Sequence, residues 1–147
     1  MAYSAKAIAN TVIEMARARG IFDVSPMKLQ KLIFYAQSWS LKLNNVKLFS
    51  DPIERWDYGP VVRDVYHEFK GFGYHPITLL ATDALGYIPV VRPDDLYSLD
   101  LIGRVLDVYG RFSAIELSNM THAQGTAWKM GKTETIISDE DLKNGKV

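Results

Sequence analysis

The strongest constraint on this chain is Ser25-Pro26 followed by a run to Leu43 that contains no further glycine or proline. A serine N-cap accepts a hydrogen bond from a first-turn amide that would otherwise go unpaired, and proline just after it has φ preset and no amide hydrogen to lose. A helix over 26–43 follows. Leu29, Leu32, Ile33, Ala36, Ser40 and Leu43 keep the spacing of one buried stripe, which leaves Lys28, Gln30, Lys31 and Gln37 on the solvated side. Phe34, Tyr35, Trp39 and Leu41 widen the apolar surface beyond that stripe. This helix is therefore expected to be central and contacted on several sides.

Other elements follow from the same logic. Ile8, Val12, Met15 and Ala16 predict a helix over 4–19, ended by Gly20. The alternation of Ile53 to Tyr58 predicts a half-buried strand, and Gly59-Pro60 then opens a helix over 60–70. Gly71, Gly73, Pro76, Gly86, Pro89 and Pro93 exclude a long helix between them. Within that stretch Ile88 to Val91 is expected to pair with 53–58 as an edge strand, where a proline is tolerated. Ser98 is read as the cap of a helix over 98–109, and Ser113 with Glu116 as the capping box of one over 113–121. Ser138 ahead of Asp139, Glu140 and Asp141 marks one more helix start. The expected fold is mainly α: a single helical domain over 1–147 with a small antiparallel β element between helices 2–3 and 3–4.

At 147 residues and 48% hydrophobic content the chain is long enough to bury a core without a disulfide or a structural metal. The absence of cysteine excludes a disulfide scaffold, a zinc-thiolate site, a thiol nucleophile and an iron-sulfur cluster, and suits a reducing cytoplasm. Charge or amide side chains interrupt every apolar stretch before a membrane span is reached, and Asn10 and Glu14 break the N-terminal one, against a secretion signal. With 17 basic and 17 acidic side chains, the chain lacks the excess of Lys and Arg from which nucleic-acid binders draw most of their affinity.

Three ordered segments carry a resemblance: Met27 to Gln37 (MKLQKLIFYAQ), Pro52 to Val62 (PIERWDYGPVV), and Leu117 to His122 (LSNMTH) continuing to Trp128. Together they resemble the signatures of the Panacea-domain family, which includes SocA-type antitoxins and phage-associated GepA-like proteins, over about residues 5–137. The resemblance implies a bacterial or prophage toxin–antitoxin system. In it, a mostly helical domain with a small β element neutralises a separately encoded protein toxin by direct contact, without catalysis.

His67, His75 and His122 have no pairwise spacing of three or four on a helix, so no metal is expected, and the absence of a P-loop or Gly-x-Gly-x-x-Gly sequence argues against a phosphate-bearing cofactor. His122 near Ser113, Ser118 and Thr121 raises an alternative, a hydrolase with an activated hydroxyl, although Ser113 belongs to a cap and Gly-x-Ser-x-Gly is missing. A further alternative is a nucleic-acid-binding regulator using residues 1–75, which hold 10 basic against 7 acidic side chains. Thr121 and His122 are read first as satisfying the last carbonyls of their helix, with Trp128 folded over its apolar end. Partner contact is expected at Lys28, Lys31, Tyr58, Arg63, His122 and Trp128, because these lie in or beside the three segments and carry polar or interface-prone side chains. A toxin with a basic nucleic-acid site would instead draw attention to Asp57, Asp64 and Glu68.

Overall fold

The computed structural model describes residues 2–147. Helix α1 spans Ala5–Ala18, with the Ser4 side chain accepting from Ala7 N, and Gly20 at φ +75° turns the chain away. Helix α2, Pro26–Asn44, begins at the expected Ser25 cap and ends at Asn45 in the left-handed region. It is the axis of the molecule, packing against α1 and the four later helices as well as the sheet.

The polar side chains of α2 depart from the stripe reading. Lys28, Gln30, Lys31 and Gln37 are all buried, because the rest of the chain encircles this helix and most of them meet backbone groups of distant segments. Gln37 accepts from Leu48 N and donates to Phe49 O. Gln30 accepts from Val62 N and donates to Val62 O. A buried amide costs little once both of its ends are paired in this way.

Strand β1, Ile53–Trp56, pairs antiparallel with β2, Gly59–Val61, through a turn at Asp57 and Tyr58. The strand is thus shorter than expected. Pro60 lies in β2 opposite Arg55 and does not open a helix; β2 is an edge strand, where a missing amide hydrogen is tolerated. Helix α3, Arg63–Phe69, starts after the strand and is followed by a 3₁₀ turn at Lys70–Phe72.

The third strand is a correction to the sequence reading. Ile88 to Val91 joins no sheet, since its polar groups are taken by α1: Asn10 Nδ2 donates to Pro89 O at 2.8 Å and Val91 N donates to Thr11 Oγ1 at 2.9 Å. The partner of β1 is β3, Ile136–Ile137, in register Ile53 with Ile137, and the sheet order is β2-β1-β3. Helix α4, Leu96–Tyr109, is capped by Asp95 and not by Ser98; Asp95 accepts from both the amide and the hydroxyl of Ser98. Helix α5, Ala114–Thr121, has the expected Ser113–Glu116 capping box, and α6, Asp139–Asn144, the expected Ser138 cap.

Arg55 fastens the C-terminal segment to the hairpin. Its Nε donates to Trp128 O at 2.9 Å, Nη1 to Thr135 Oγ1 and Ile136 O at 3.0 Å, and Nη2 to Ala127 O at 2.9 Å and Asp141 Oδ2 at 3.0 Å. Every N–H of a guanidinium is thereby used.

Candidate functional site

The residues of the three segments converge on the turn between β1 and β2. Alternation along β1 sends Ile53 and Arg55 inward and leaves Glu54 and Trp56 half-buried on the outer face. Arg63, in the first turn of α3, grips Glu54 with two bonds, Nη2 to Oε1 at 2.8 Å and Nε to Oε2 at 3.1 Å, while the Trp56 indole N–H donates to the same carboxylate at 3.1 Å. The Arg63 guanidinium holds the Glu54 carboxyl below the usual carboxylate range, with Trp56 adding to the effect. That guanidinium also lies 5.5 Å from the Trp56 ring centroid, and Tyr66 packs edge-on against the indole at 4.8 Å. Tyr58 stands beside this group at the turn, with 69% of its surface exposed. An open cleft of about 450 Å³ runs between Glu54, Trp56, Asp57, Tyr58, Arg63 and Glu134.

His122 and Trp128 brace the turn from behind. His122 Nδ1 lies 2.6 Å from Ser118 O and Nε2 lies 2.7 Å from Asp57 O, so the ring bridges the end of α5 to the turn. Trp128 packs against that ring at 4.0 Å and donates its indole N–H to Trp56 O at 2.8 Å. Thr121 Oγ1 donates to Ser118 O, so the reading of Thr121 and His122 as satisfying a late carbonyl of α5 agrees with the geometry. Among the described residues neither ring nitrogen faces a hydroxyl; Ser118 Oγ donates to Tyr58 O.

Lys28 and Lys31 are placed differently from the expected solvated pair. Lys28 is fully buried, and its ammonium is held by Asp23 Oδ1 and Gly110 O, each at 2.7 Å. Lys31, 1% exposed, reaches under the hairpin instead. Its tail fits there because residue 59 is a glycine at φ +118°, where a Cβ would lie 2.8 Å from both Lys31 Cε and Thr121 Oγ1. Lys31 lines a mostly apolar cavity of about 180 Å³ together with Met27, Trp56, Tyr58, Val61 and Tyr66. Burial pushes its amine down to about 7.

The structure thus brings Lys31, Tyr58, Arg63, His122 and Trp128 to one turn, and sends Lys28 toward the end of α4. Sequence reasoning missed Trp56, Glu54 and Tyr66, which complete the cluster. It also passed over the exposed Tyr74, Leu79, Leu85, Tyr87 and Ile88 between α3 and α4. Their signal was large apolar side chains in a segment whose glycines and prolines give no periodicity to bury them.

A family model described as Antitoxin SocA-like, Panacea domain, matches residues 29–129, a span that includes the whole hairpin cluster. The chain is also 34% identical over 128 residues to Antitoxin SocA of Caulobacter vibrioides (strain NA1000 / CB15N), an alignment covering 84% of this chain and 68% of that relative. No solved structure matches.

Proposed function

The chain belongs to the SocA-like Panacea-domain family, and from that premise we propose that it is an antitoxin that neutralises a cognate protein toxin by direct contact through the β1–β2 turn and the start of α3. The observation that carries this reading is the exposed Tyr58 beside Arg63 on a base already ordered by Glu54, Trp56 and Tyr66. Aromatic and arginine side chains dominate interface energetics, and a rigid base removes the entropic cost of ordering them on binding. His122 and Trp128 act as supports of the turn. A role for His122 as a catalytic base gains nothing from a ring whose two nitrogens both face carbonyls.

In this reading the domain works without catalysis, in the bacterial cytoplasm or during expression of a prophage, as a single unit over 1–147. Among the described residues no helix is long and apolar enough to cross a membrane. The test is co-expression with the toxin encoded beside it. Wild type is expected to restore growth and co-purify with the toxin, while Tyr58→Ala combined with Arg63→Ala does neither and keeps its thermal midpoint. Unimpaired rescue by that double variant would move the interface elsewhere.

A further inference from the structure

A lysine ammonium taken out of water needs a partner, because an unpaired buried charge is among the costliest arrangements in a protein. Lys28 has two. Among the described residues Lys31 has no hydrogen-bond or ion-pair partner for its ammonium, although the side chain as a whole is as deeply buried as that of Lys28. Because no fully buried side-chain nitrogen among these residues goes unpartnered, that ammonium meets solvent only through the pocket it lines. The charged groups on the elements around it are engaged elsewhere or exposed. Glu54 is held by Arg63, His122 by two carbonyls, Asp64 and Glu68 of α3 face Lys6, and Asp57 is exposed. Gln30, beside it on α2, is bound at both ends to Val62. What Lys31 does line is the half-open cavity of about 180 Å³, whose other walls are mostly aromatic and aliphatic, with Gln30 the one other polar side chain. An apolar cavity of about 150 Å³ accepts a benzene ring, so this one has room for a phenyl-sized group.

We propose that Lys31 and this cavity form a binding site for a carboxylate borne on a phenyl-sized apolar group, either a free small acid or the terminal residue of a polypeptide. The apolar body fills the space between Met27, Trp56, Tyr58, Val61 and Tyr66, and the carboxylate supplies the acceptor that the ammonium lacks. Gly59 keeps the lysine tail in place at the inner end. The lowered amine fits the same assignment, since an arriving anion restores the charged form and binding takes up a proton. The site does not depend on the toxin-contact reading, and either can fail alone.

The experiment titrates purified full-length protein with 3-phenylpropionate and with its uncharged amide, following Trp56 and Met27 resonances by NMR. A ligand of this size is expected to bind in the ~mM range. The acid should bind at least about tenfold more tightly than the amide at pH 6.5, and lose roughly tenfold in affinity for each unit above about pH 8 as the free amine gives up its proton. Lys31→Met should erase both the preference and the pH dependence. A short peptide ending in phenylalanine, with a free or an amidated terminus, identifies the source: tighter binding of the free-terminus peptide than of 3-phenylpropionate points to a polypeptide terminus, and weaker binding to a small acid. Equal affinity of acid and amide, a flat pH profile, unchanged binding by Lys31→Met, or no saturable binding of the acid would each overturn the proposal. The wild-type comparison of acid with amide decides the matter even if the variant does not fold.

Discussion

Gly59 lies against the tail of Lys31, so close that a Cβ at position 59 would come within 2.8 Å of Lys31 Cε and, on its other side, within 2.8 Å of Thr121 Oγ1. The turn that exposes Tyr58, the lysine under it and the end of α5 are thus fitted to one another through a position with no side chain.

Replacing that glycine tests the fit. Gly59→Ala must place a Cβ at φ +118° and also displace two neighbours, one of them buried in a helix end. Backbone strain and overpacking together are expected to destabilise the fold by about 2–4 kcal/mol. A shift in the denaturant midpoint of that size, with an unchanged slope, is the expected reading; a neutral substitution would show that Lys31 and the turn are free to separate.

Lys31 should also make stability depend on pH. Its amine falls from 10.5 to about 7 on folding. Between those values the unfolded chain holds a proton that the folded one has released, so stability rises with pH across that window. Below about 7 both states are protonated and the penalty for burying the charge is complete. Lys31→Met is therefore expected to raise the thermal midpoint most at or below pH 7, with the gain shrinking toward pH 10. A gain that is constant with pH would mean the ammonium is not the source of the penalty.

Arg55 offers a test of the C-terminal attachment. Its five bonds reach Ala127, Trp128, Thr135, Ile136 and Asp141, and lysine cannot reproduce that planar fork. Arg55→Lys is expected to cost about 2–4 kcal/mol, because it leaves buried carbonyls unpaired. Hydrogen exchange should show the loss first at 127–142 and only later in α1 and α2.

For the toxin contact, the separation of exposed from supporting residues is the useful handle. Tyr58→Ala and Arg63→Ala should each weaken toxin binding by about 2 kcal/mol or more, the usual size of an interface anchor, with little change in thermal midpoint. His122→Ala removes bonds to Ser118 and Asp57, and is expected to lower the midpoint as well as the affinity. Calorimetric titration with the purified toxin distinguishes the two patterns.

Local signals in the sequence located the helices well. Ser25-Pro26, the Ser113–Glu116 box and Ser138 mark helix starts through bonds made within one turn, and such bonds depend on nothing distant. The position of β3 was not legible, because two residues carry no period and its partner Ile53 is far away in the chain. The burial of Lys28, Lys31, Gln30 and Gln37 was hidden for a related reason. Polar side chains in a helix are assigned to water by default, and only the folded chain shows that Gly110, Val62 and Phe49 arrive to meet most of them. Of the site, Tyr58, Arg63, His122 and Trp128 stood out as aromatic or cationic side chains within motifs, whereas Glu54 and Tyr66 gain meaning only through contact with Arg63 and Trp56.

The placement of α2 at the centre also has a consequence in time. Ser38 of α2 donates to the carbonyl of Leu142, 104 positions further on. At about 5–20 residues per second a ribosome needs roughly 5–20 s to cover that distance. Throughout that interval the nascent chain carries its central helix with one flank uncovered, open to chaperones and to proteases. Newly made molecules should be far more vulnerable during those seconds than finished ones, in which α6 covers that flank.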